Sequence, residues 1–385
     1  MEKNQSLYSY DGTKTSLNHW VAPSGLSSSY APGTGFRVYS FQSDRIIFAG
    51  TPFRGSKDLN VTFDAAGYDN GGWNLVANPY LSPIDWTNAG GWTKSNITSG
   101  IYIWNPAKSA YASYVNGAST NDGGPTIATG QAFFIKANGA NPKLIVNENA
   151  KSKQSTGFLR TGFAQPSLKV LLNDKVEELS DELLFRATDG STGNFDDDFD
   201  AYKLPGTFIN ISTKSSDGED LSINSLPDLS GSYPLQISTA RTGTFSLSFK
   251  NAETLEGKNA YLLDKLLGKE VEVSNETEYQ FTTNTTETPD RFRVSFTSVV
   301  TGNHSSNTES APLVYPNPAK DQVTLTLGRA KNADVVLINP MGSEIAQWSN
   351  VQEGSLQMPL SAENGIYILK VKSNEEIFVY KIVKL

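Results

Sequence analysis

The feature that most constrains the fold is the spacing of short apolar runs. Runs rich in Val, Ile, Phe, Tyr and Thr recur along the chain, and Gly, Asn, Asp or Pro interrupt them roughly every ten residues. Examples are Gly100–Trp104, Lys143–Val146 and Thr244–Phe249. Helical periodicity is mild and confined to Lys175–Phe185, where a loop is an equal alternative. The pattern predicts an all-β chain of tandem antiparallel β-sandwich domains, jelly-roll or Ig-like in type.

The composition excludes several kinds of chemistry. The 385 residues include no Cys, so disulfides, thiolate zinc sites and cysteine nucleophiles are ruled out. The two histidines, His19 and His304, cannot form a three-His metal site and leave little for a Ser–His–Asp triad. The net charge of −8 argues against a nucleic-acid partner. No run reaches the roughly 18 apolar residues of a transmembrane segment.

Composition divides the chain into three modules, a connector and a linker. Residues 1–150 form an aromatic-rich module with five of the six Trp, and a polar connector follows at 151–156. Residues 157–299 form an acidic module: residues 151–312 hold 24 Asp and Glu against 15 Lys and Arg. Residues 300–312 are a polar linker, and residues 313–385 form a small domain for which seven strands and an Ig-like sandwich are expected.

Three groups of residues stand in order within the last domain. They are Tyr315-Pro316-Asn317-Pro318 with Asp321, then Gly365, Tyr367 and Lys370, and finally Lys381, Ile382, Lys384 and Leu385 at the terminus. Together they resemble the type A C-terminal sorting domain of the type IX secretion system found in Bacteroidota. The terminal segment Ile377–Leu385 is expected either to be an edge strand open to a partner or to pair within the core.

The resemblance implies a cargo protein that crosses the periplasm and the outer membrane and ends secreted or attached to the cell surface. It implies three partners: the translocon, an outer-membrane shuttle protein that binds the sorting domain, and a sortase-like peptidase. A flexible linker at 300–312 would offer that peptidase an extended backbone. Met1 is followed by polar residues rather than a signal peptide, so we expect the chain to be the C-terminal portion of a longer cargo.

The aromatic-rich module resembles a β-rich region that often precedes such sorting domains in adhesin-like surface proteins. The residues that carry this resemblance are 72–80, 84–86, 101–106 and 130–137. No activity follows from it. A carbohydrate-binding accessory region of a glycan-degrading enzyme is the alternative, with Trp92 as the candidate glycan contact because its neighbours are loop residues. Trp73, Trp86 and Trp104 are expected in the core.

The acidic module has a carboxylate cluster between Asp189 and Asp200. Oxygen ligands of this kind suit calcium, with Asp196, Asp198 and Asp200 as candidates, although the spacing departs from the EF-hand pattern. A solvated acidic loop is the other interpretation. Hydrolase, zinc-protease and nucleotide-binding motifs are missing from the sequence, so we expect no enzyme activity.

Overall fold

A computed structural model forms two compact units, residues 1–299 and residues 300–385, here called the first and the second unit. It describes residues 7–14, 19–25, 28–39, 49–67, 71–152, 165–255, 257–284, 286, 288, 290–298, 312–327, 332–339, 343–352, 354–360, 363–373 and 376–385. Most of the predicted connector at 151–156 and of the linker at 300–312 lies outside these residues. The predicted boundary near residue 150 falls within the first unit.

The described residues contain β-strands and three short 3-10 helices, and no α-helix. The 3-10 helices are Ala89–Gly91, Glu148–Ala150 and Ala252–Thr254. The strands up to residue 150 are β1 Leu7–Tyr10, β2 Trp20–Val21, β3 Arg37–Val38, β4 Lys57–Asp58, β5 Trp73–Ala77, β6 Ile84–Asp85, β7 Trp92–Ser95, β8 Ile101–Asn105, β9 Ala110–Val115, β10 Ala118–Thr120, β11 Thr126–Ile127, β12 Ala132–Lys136 and β13 Lys143–Val146. No helix in the described ranges is long and apolar enough to span a membrane.

A five-stranded antiparallel sheet, in the order β10-β9-β8-β12-β5, is the centre of the aromatic-rich module. Its residues alternate between two buried faces, as strand geometry requires. Val76, Phe133 and Ile135 pack on one side against Trp92 and Leu144 of the β4-β13-β7 sheet. This packing forms a two-layer sandwich.

The opposite face of the same sheet carries Trp73, Tyr102 and Phe134, and it is buried against Leu184 and Ile223 of the acidic module. A sheet that is apolar on both faces needs a cover on each side, because exposed aromatic area is costly in water. The acidic module provides the second cover, which explains why the two predicted modules form one unit.

The acidic module is a large folded-over sheet of eleven strands. They are β14 Ser167–Asp174, β15 Leu179–Ala187, β16 Ala201–Tyr202, β17 Ile209–Lys214, β18 Asp220–Leu226, β19 Gly231–Thr239, β20 Gly243–Lys250, β21 Lys258–Asp264, β22 Lys269–Glu272, β23 Glu278–Thr283 and β24 Phe292–Ser298. β17 pairs with β18 at one end and β19 at the other, so apolar residues of both halves meet in one core. Pairing is antiparallel except between β15 and β18.

Two local predictions in this unit are wrong. Lys175–Phe185 is a turn followed by β15, because Leu183, Leu184 and Phe185 belong to a strand that is buried on both faces. Residues 59–63, whose alternation of apolar and polar residues predicts a strand, have no strand assignment, although Leu59 and Val61 are buried in the core.

The second unit confirms the predicted seven-stranded sandwich in its described residues. The strands are β25 Leu313–Tyr315, β26 Gln322–Thr326, β27 Ala333–Ile338, β28 Glu344–Val351, β29 Ser355–Pro359, β30 Gly365–Ser373 and β31 Glu376–Lys384. They form a three-stranded sheet, β25-β26-β29, and a four-stranded sheet, β28-β27-β30-β31. Val323, Leu325, Leu337, Leu369 and Val371 lie in the core between them.

Candidate functional site

The three sequence motifs of the second unit meet at one end of its four-stranded sheet. Asn317 donates through Nδ2 to the carbonyl of Lys381 at 2.6 Å, and its Oδ1 accepts from the Val383 amide at 2.9 Å. The Ala319 amide donates to the carbonyl of Val383, and the Leu385 amide donates to the carbonyl of Ala319. The first motif therefore covers the free edge of β31 at its C-terminal end.

The middle motif joins the same cluster through strand pairing. Gly365 lies opposite Lys384 and Tyr367 lies opposite Ile382 in the β30–β31 pair. Tyr367 and Ile382 are buried, and the Tyr367 hydroxyl donates to the carbonyl of Glu363 at 2.6 Å. Their side chains therefore stabilise the unit, and in the folded unit the core covers them.

The other predicted sorting residues are accessible. The exposed ones are Tyr315, Pro316, Asn317, Pro318, Asp321, Lys370, Lys381 and Leu385, whereas Gly365 and Lys384 are half-buried. Among the described strands β31 pairs only with β30, so it is the edge strand that the sequence allowed for, and the Asn317–Ala319 segment covers part of its edge.

Asn317→Ala is expected to loosen this edge by about 1–2 kcal/mol, because two hydrogen bonds to β31 are lost together. The amide of Val383 should then exchange with solvent about fivefold to thirtyfold faster, as hydrogen-exchange mass spectrometry of the terminal peptide would record. Gln357→Ala, which changes an exposed residue of β29, should leave the exchange of that peptide unchanged. Equal protection in Asn317→Ala and the parent would contradict the structural role given to Asn317.

The acidic loop, Asp189–Asp200, connects the acidic module to the aromatic-rich module. Asn138 Nδ2 donates to Asp197 Oδ2 at 2.6 Å, and Ser99 Oγ donates to Asp198 Oδ1 at 2.6 Å. The side-chain amide of Asn116 donates to the carbonyl of Asp198 at 2.7 Å. The loop therefore links the two modules through hydrogen bonds.

The three carboxylates proposed for calcium have different partners. Asp196 accepts from the amide and hydroxyl of Thr192, Asp198 accepts from Ser99, and Asp200 accepts from the amides of Ser225 and Asp196. Across the described residues, no group of three His, Cys, Asp or Glu side chains is arranged to hold a metal ion. The structure thus does not bring Asp196, Asp198 and Asp200 together as a calcium site.

Asp200 is the unusual member of the loop because it is almost fully buried. Burial raises the pKa of Asp200 to about 7, and the charge of Asp196 adds to the rise. The amides of Ser225 and Asp196 and the guanidinium of Arg186 act against it. Arg186 connects the two modules, because its guanidinium donates to the carbonyl of Asn116 in the aromatic-rich module and to that of Phe199 in the acidic module.

A second polar contact between the modules was not predicted. We call it the charged junction, and its members are Lys108, Asn121, Lys169, Asp181, Glu182 and Lys203. Glu182 accepts from Lys108 at 2.9 Å, from Lys169 at 2.7 Å and from the Asn121 amide at 2.8 Å. Asp181 pairs with Lys203 and accepts from the Asn121 side chain at 2.7 Å.

One sequence signal could have located this junction. Asp181 and Glu182 interrupt the apolar run of β15, and two charges inside a buried strand must find partners. Burial would raise the pKa of Glu182, but Lys169 and Lys108 outweigh it and lower the pKa to about 2.

The tryptophans differ from the prediction in two cases. Trp92, expected to be exposed, is only 8% exposed; its indole packs against Trp86 at 4.8 Å and its Nε1 donates to the carbonyl of Asp85. A glycan cannot stack on a ring that the core covers, so the Trp92 prediction is wrong. Trp104, expected in the core, is 37% exposed.

Trp104 lies on a cleft of about 670 Å³ at the edge of the two modules. We call it the aromatic cleft. Its lining includes Trp20, Trp104 and Tyr111 of the aromatic-rich module, here called the aromatic wall, and Asp217, Glu219 and Asp220 of the acidic module, here called the acidic wall. Trp104 meets Tyr111 edge to face, with ring centroids 5.1 Å apart. The guanidinium of Arg37 lies 5.1 Å from the centroid of Trp20.

The second unit, with its motifs joined at one sheet end, has the structure of an export signal. Residues 313–385 match the family described as Secretion system C-terminal sorting domain. The protein is thus a cargo of the type IX secretion system, exported to the cell surface or the extracellular space. The chain belongs to the family described as Domain of unknown function (DUF8693), which matches residues 1–296.

Solved structures add little to this assignment. A biofilm associated protein (BSP domain) is 10% identical with a TM-score of 0.17, covering 86% of this chain and 66% of its own. Native alpha-2-macroglobulin from E. coli is 10% identical with a TM-score of 0.18, covering 86% of this chain and 26% of its own. These scores carry no argument about structure or activity. No curated protein matches the chain in sequence.

Proposed function

We propose that the second unit docks on the type IX translocon and its outer-membrane shuttle protein, and that the first unit is a non-catalytic, adhesin-like body displayed outside the cell. The convergence of the three motifs around β31 is the observation that carries the docking proposal. It makes the sorting signal a folded surface rather than a linear peptide. The sortase-like peptidase is expected to cut within residues 300–312.

The outer face of the four-stranded sheet is the proposed docking surface. Ile368 lies opposite Lys381 across β30 and β31, and Lys370 lies opposite Val379. Ile366 and Val379 are exposed apolar residues of the same face. Basic and apolar side chains alternating on one exposed face suit a partner with acidic and apolar groups.

We propose that the first unit is not catalytic, because several of its buried acids are paired with basic side chains. Asp181 and Glu182 hold lysines across the charged junction, and Asp264 holds Arg291 at 2.8 Å. A carboxylate that is buried and paired in this way has no charge available to a substrate. The acidic loop does not support a third possibility, an adhesin stalk stiffened by calcium. Its carboxylates accept hydrogen bonds from donors of the chain itself.

Deleting residues 313–385 is expected to leave the cargo in the periplasm, and Lys370→Glu/Lys381→Glu should reduce surface delivery about tenfold or more. Charge reversal on the outer face repels an acidic partner surface while leaving the core untouched. The measurement is protease accessibility of the cargo on whole cells, compared with its amount in the periplasm.

Gln357→Glu is the control, because Gln357 is exposed on β29, which belongs to the other sheet and lies outside the three motifs. It should be delivered normally. Normal delivery of the deletion variant would refute the sorting role, and normal delivery of the double variant alone would refute the outer face as the docking surface.

The alternative function, a carbohydrate-binding accessory region, loses Trp92 as its site. It remains a candidate only through a different aromatic surface, and the aromatic cleft is the observation that favours it.

A further inference from the structure

The aromatic cleft has the size and position of a ligand site. Its volume of about 670 Å³ lies within the range of about 300–1,000 Å³ that small-molecule sites occupy. It also lies where two modules meet, a common place for such sites.

One wall of the cleft offers aromatic surface. Trp104 is 37% exposed although it follows the buried part of β8, so part of its ring is open to a ligand. Tyr111 supports it edge to face. Tyr39, 43% exposed, continues the aromatic surface beside Arg37, whose guanidinium lies 4.6 Å from its ring centroid.

The cleft is held rigidly at the turn between β8 and β9. The Thr207 amide donates to the carbonyl of Ser109 at 2.9 Å. Gly206 packs so closely there that an added Cβ would lie 2.6 Å from the carbonyl oxygen of Ser109. A preformed cleft of this kind binds its ligand without ordering a loop first.

The other wall supplies mainly hydrogen-bond acceptors. Asp217, Glu219 and Asp220 bring three carboxylates, of which Asp217 already accepts through Oδ1 from the Phe195 amide and the Ser215 hydroxyl, and the basic residues in the lining are Arg37 and Lys203. The Lys203 ammonium pairs with Asp181, and the Asp220 carboxylate pairs with Lys214. The ligand must therefore carry many hydrogen-bond donors and no strong negative charge.

From this combination we infer that the aromatic cleft binds a neutral oligosaccharide, stacked on Trp104 and hydrogen-bonded through its hydroxyls to the acidic wall. A pyranose has apolar C–H faces for the ring and a rim of hydroxyl donors for the carboxylates. A proline-rich peptide also fits aromatic grooves, but proline lacks the N–H donor that the acidic wall requires. An acidic polysaccharide would be repelled by the carboxylates.

This inference deepens the proposed function, since it names the ligand class of a displayed body, and it is tested on purified protein independently of export. The full chain is titrated calorimetrically with gluco-, manno-, galacto- and xylo-oligosaccharides of about six units, a size chosen to span the cleft. An oligoglucuronate and a polyproline peptide serve as comparisons. Binding of a neutral series, weakened about tenfold or more by Trp104→Ala, is the expected result.

Two further variants keep the test decisive. Trp104→Phe retains a stacking face and should bind with intermediate affinity, which separates stacking from a loss of fold. Tyr30→Ala, which removes a ring that is 42% exposed and not part of the cleft lining, should bind like the parent. No neutral series binding, equal affinity in Trp104→Ala, or tighter binding of oligoglucuronate or polyproline would each overturn the inference and leave the sorting role intact.

Discussion

Glu182→Ala is expected to lower the free energy of unfolding of the first unit by about 3–5 kcal/mol, the range for breaking a buried ion pair from one side. Glu182 is 3% exposed, and its carboxylate is shared by Lys108 of one module and Lys169 of the other. In the variant the ammonium groups of Lys108 and Lys169 lose the negative charge of Glu182 while they remain poorly solvated.

The same carboxylate predicts an acid limit to stability. Because the folded pKa of Glu182 is lowered from 4.5 to about 2, the folded unit binds fewer protons than the unfolded chain in that interval. The contribution of Glu182 is therefore complete above about pH 4.5 and is lost as the pH falls towards 2.

Urea unfolding followed by tryptophan fluorescence measures both effects, since five of the six tryptophans lie in residues 1–150. Glu177→Ala removes an exposed acid from the turn before β15 and should change stability by less than about 0.5 kcal/mol. If Glu182→Ala were no more harmful than Glu177→Ala, the charged junction would not hold the modules together.

Asp200→Asn is expected to change how stability depends on pH between about 4 and 8. The folded pKa of Asp200 is raised from 3.8 to about 7, mainly by burial. The folded state thus keeps a proton that the unfolded chain releases, and the contribution of Asp200 falls as the pH rises from 3.8 to 7. A shift of this size corresponds to about 4 kcal/mol across the interval.

Asparagine stays neutral at every pH in this range, so the variant loses that dependence. In the variant the side-chain NH₂ of the asparagine faces the backbone N–H of Asp196, so two donors meet and a hydrogen bond is lost. This loss lowers the stability of the variant by an amount that does not vary with pH. The difference in stability between parent and variant, measured at several pH values, should move in favour of the variant by up to about 4 kcal/mol as the pH rises.

Asp189→Asn, an exposed change in the same loop, is the matched control and should follow the parent profile. A constant difference between parent and Asp200→Asn across the range would show that Asp200 carries its charge in the folded protein throughout, contrary to the raised pKa.

The sequence was sufficient to predict nearly all of the fold of the second unit. Alternation along Gln322–Thr326 and Gly365–Ser373 identifies strands with one buried face, because strand side chains point to opposite sides at every step. The motif around Asn317 and the terminal motif were recognisable as linear patterns. Their contact, across more than 60 residues of chain, was not, since hydrogen bonds between distant segments leave no local pattern.

In the first unit, sequence determined the class of element but not the environment of individual side chains. Trp92 stands among Gly and polar neighbours and Trp104 ends an apolar strand run, yet Trp92 is buried by the packing of two sheets and Trp104 lies open at a cleft. Which face of a sheet is covered depends on what packs against it, and that is a property of the assembled layers.

Sequence by itself determined the β architecture and the export signal, because strand periodicity, turn residues and short motifs act through neighbours along the chain. The tertiary structure alone decided that the carboxylates of Asp181, Glu182, Asp197 and Asp198 join the two modules. A carboxylate has the same sequence signature whether its partner is a metal, water or a lysine, and only its position in the folded protein selects among them.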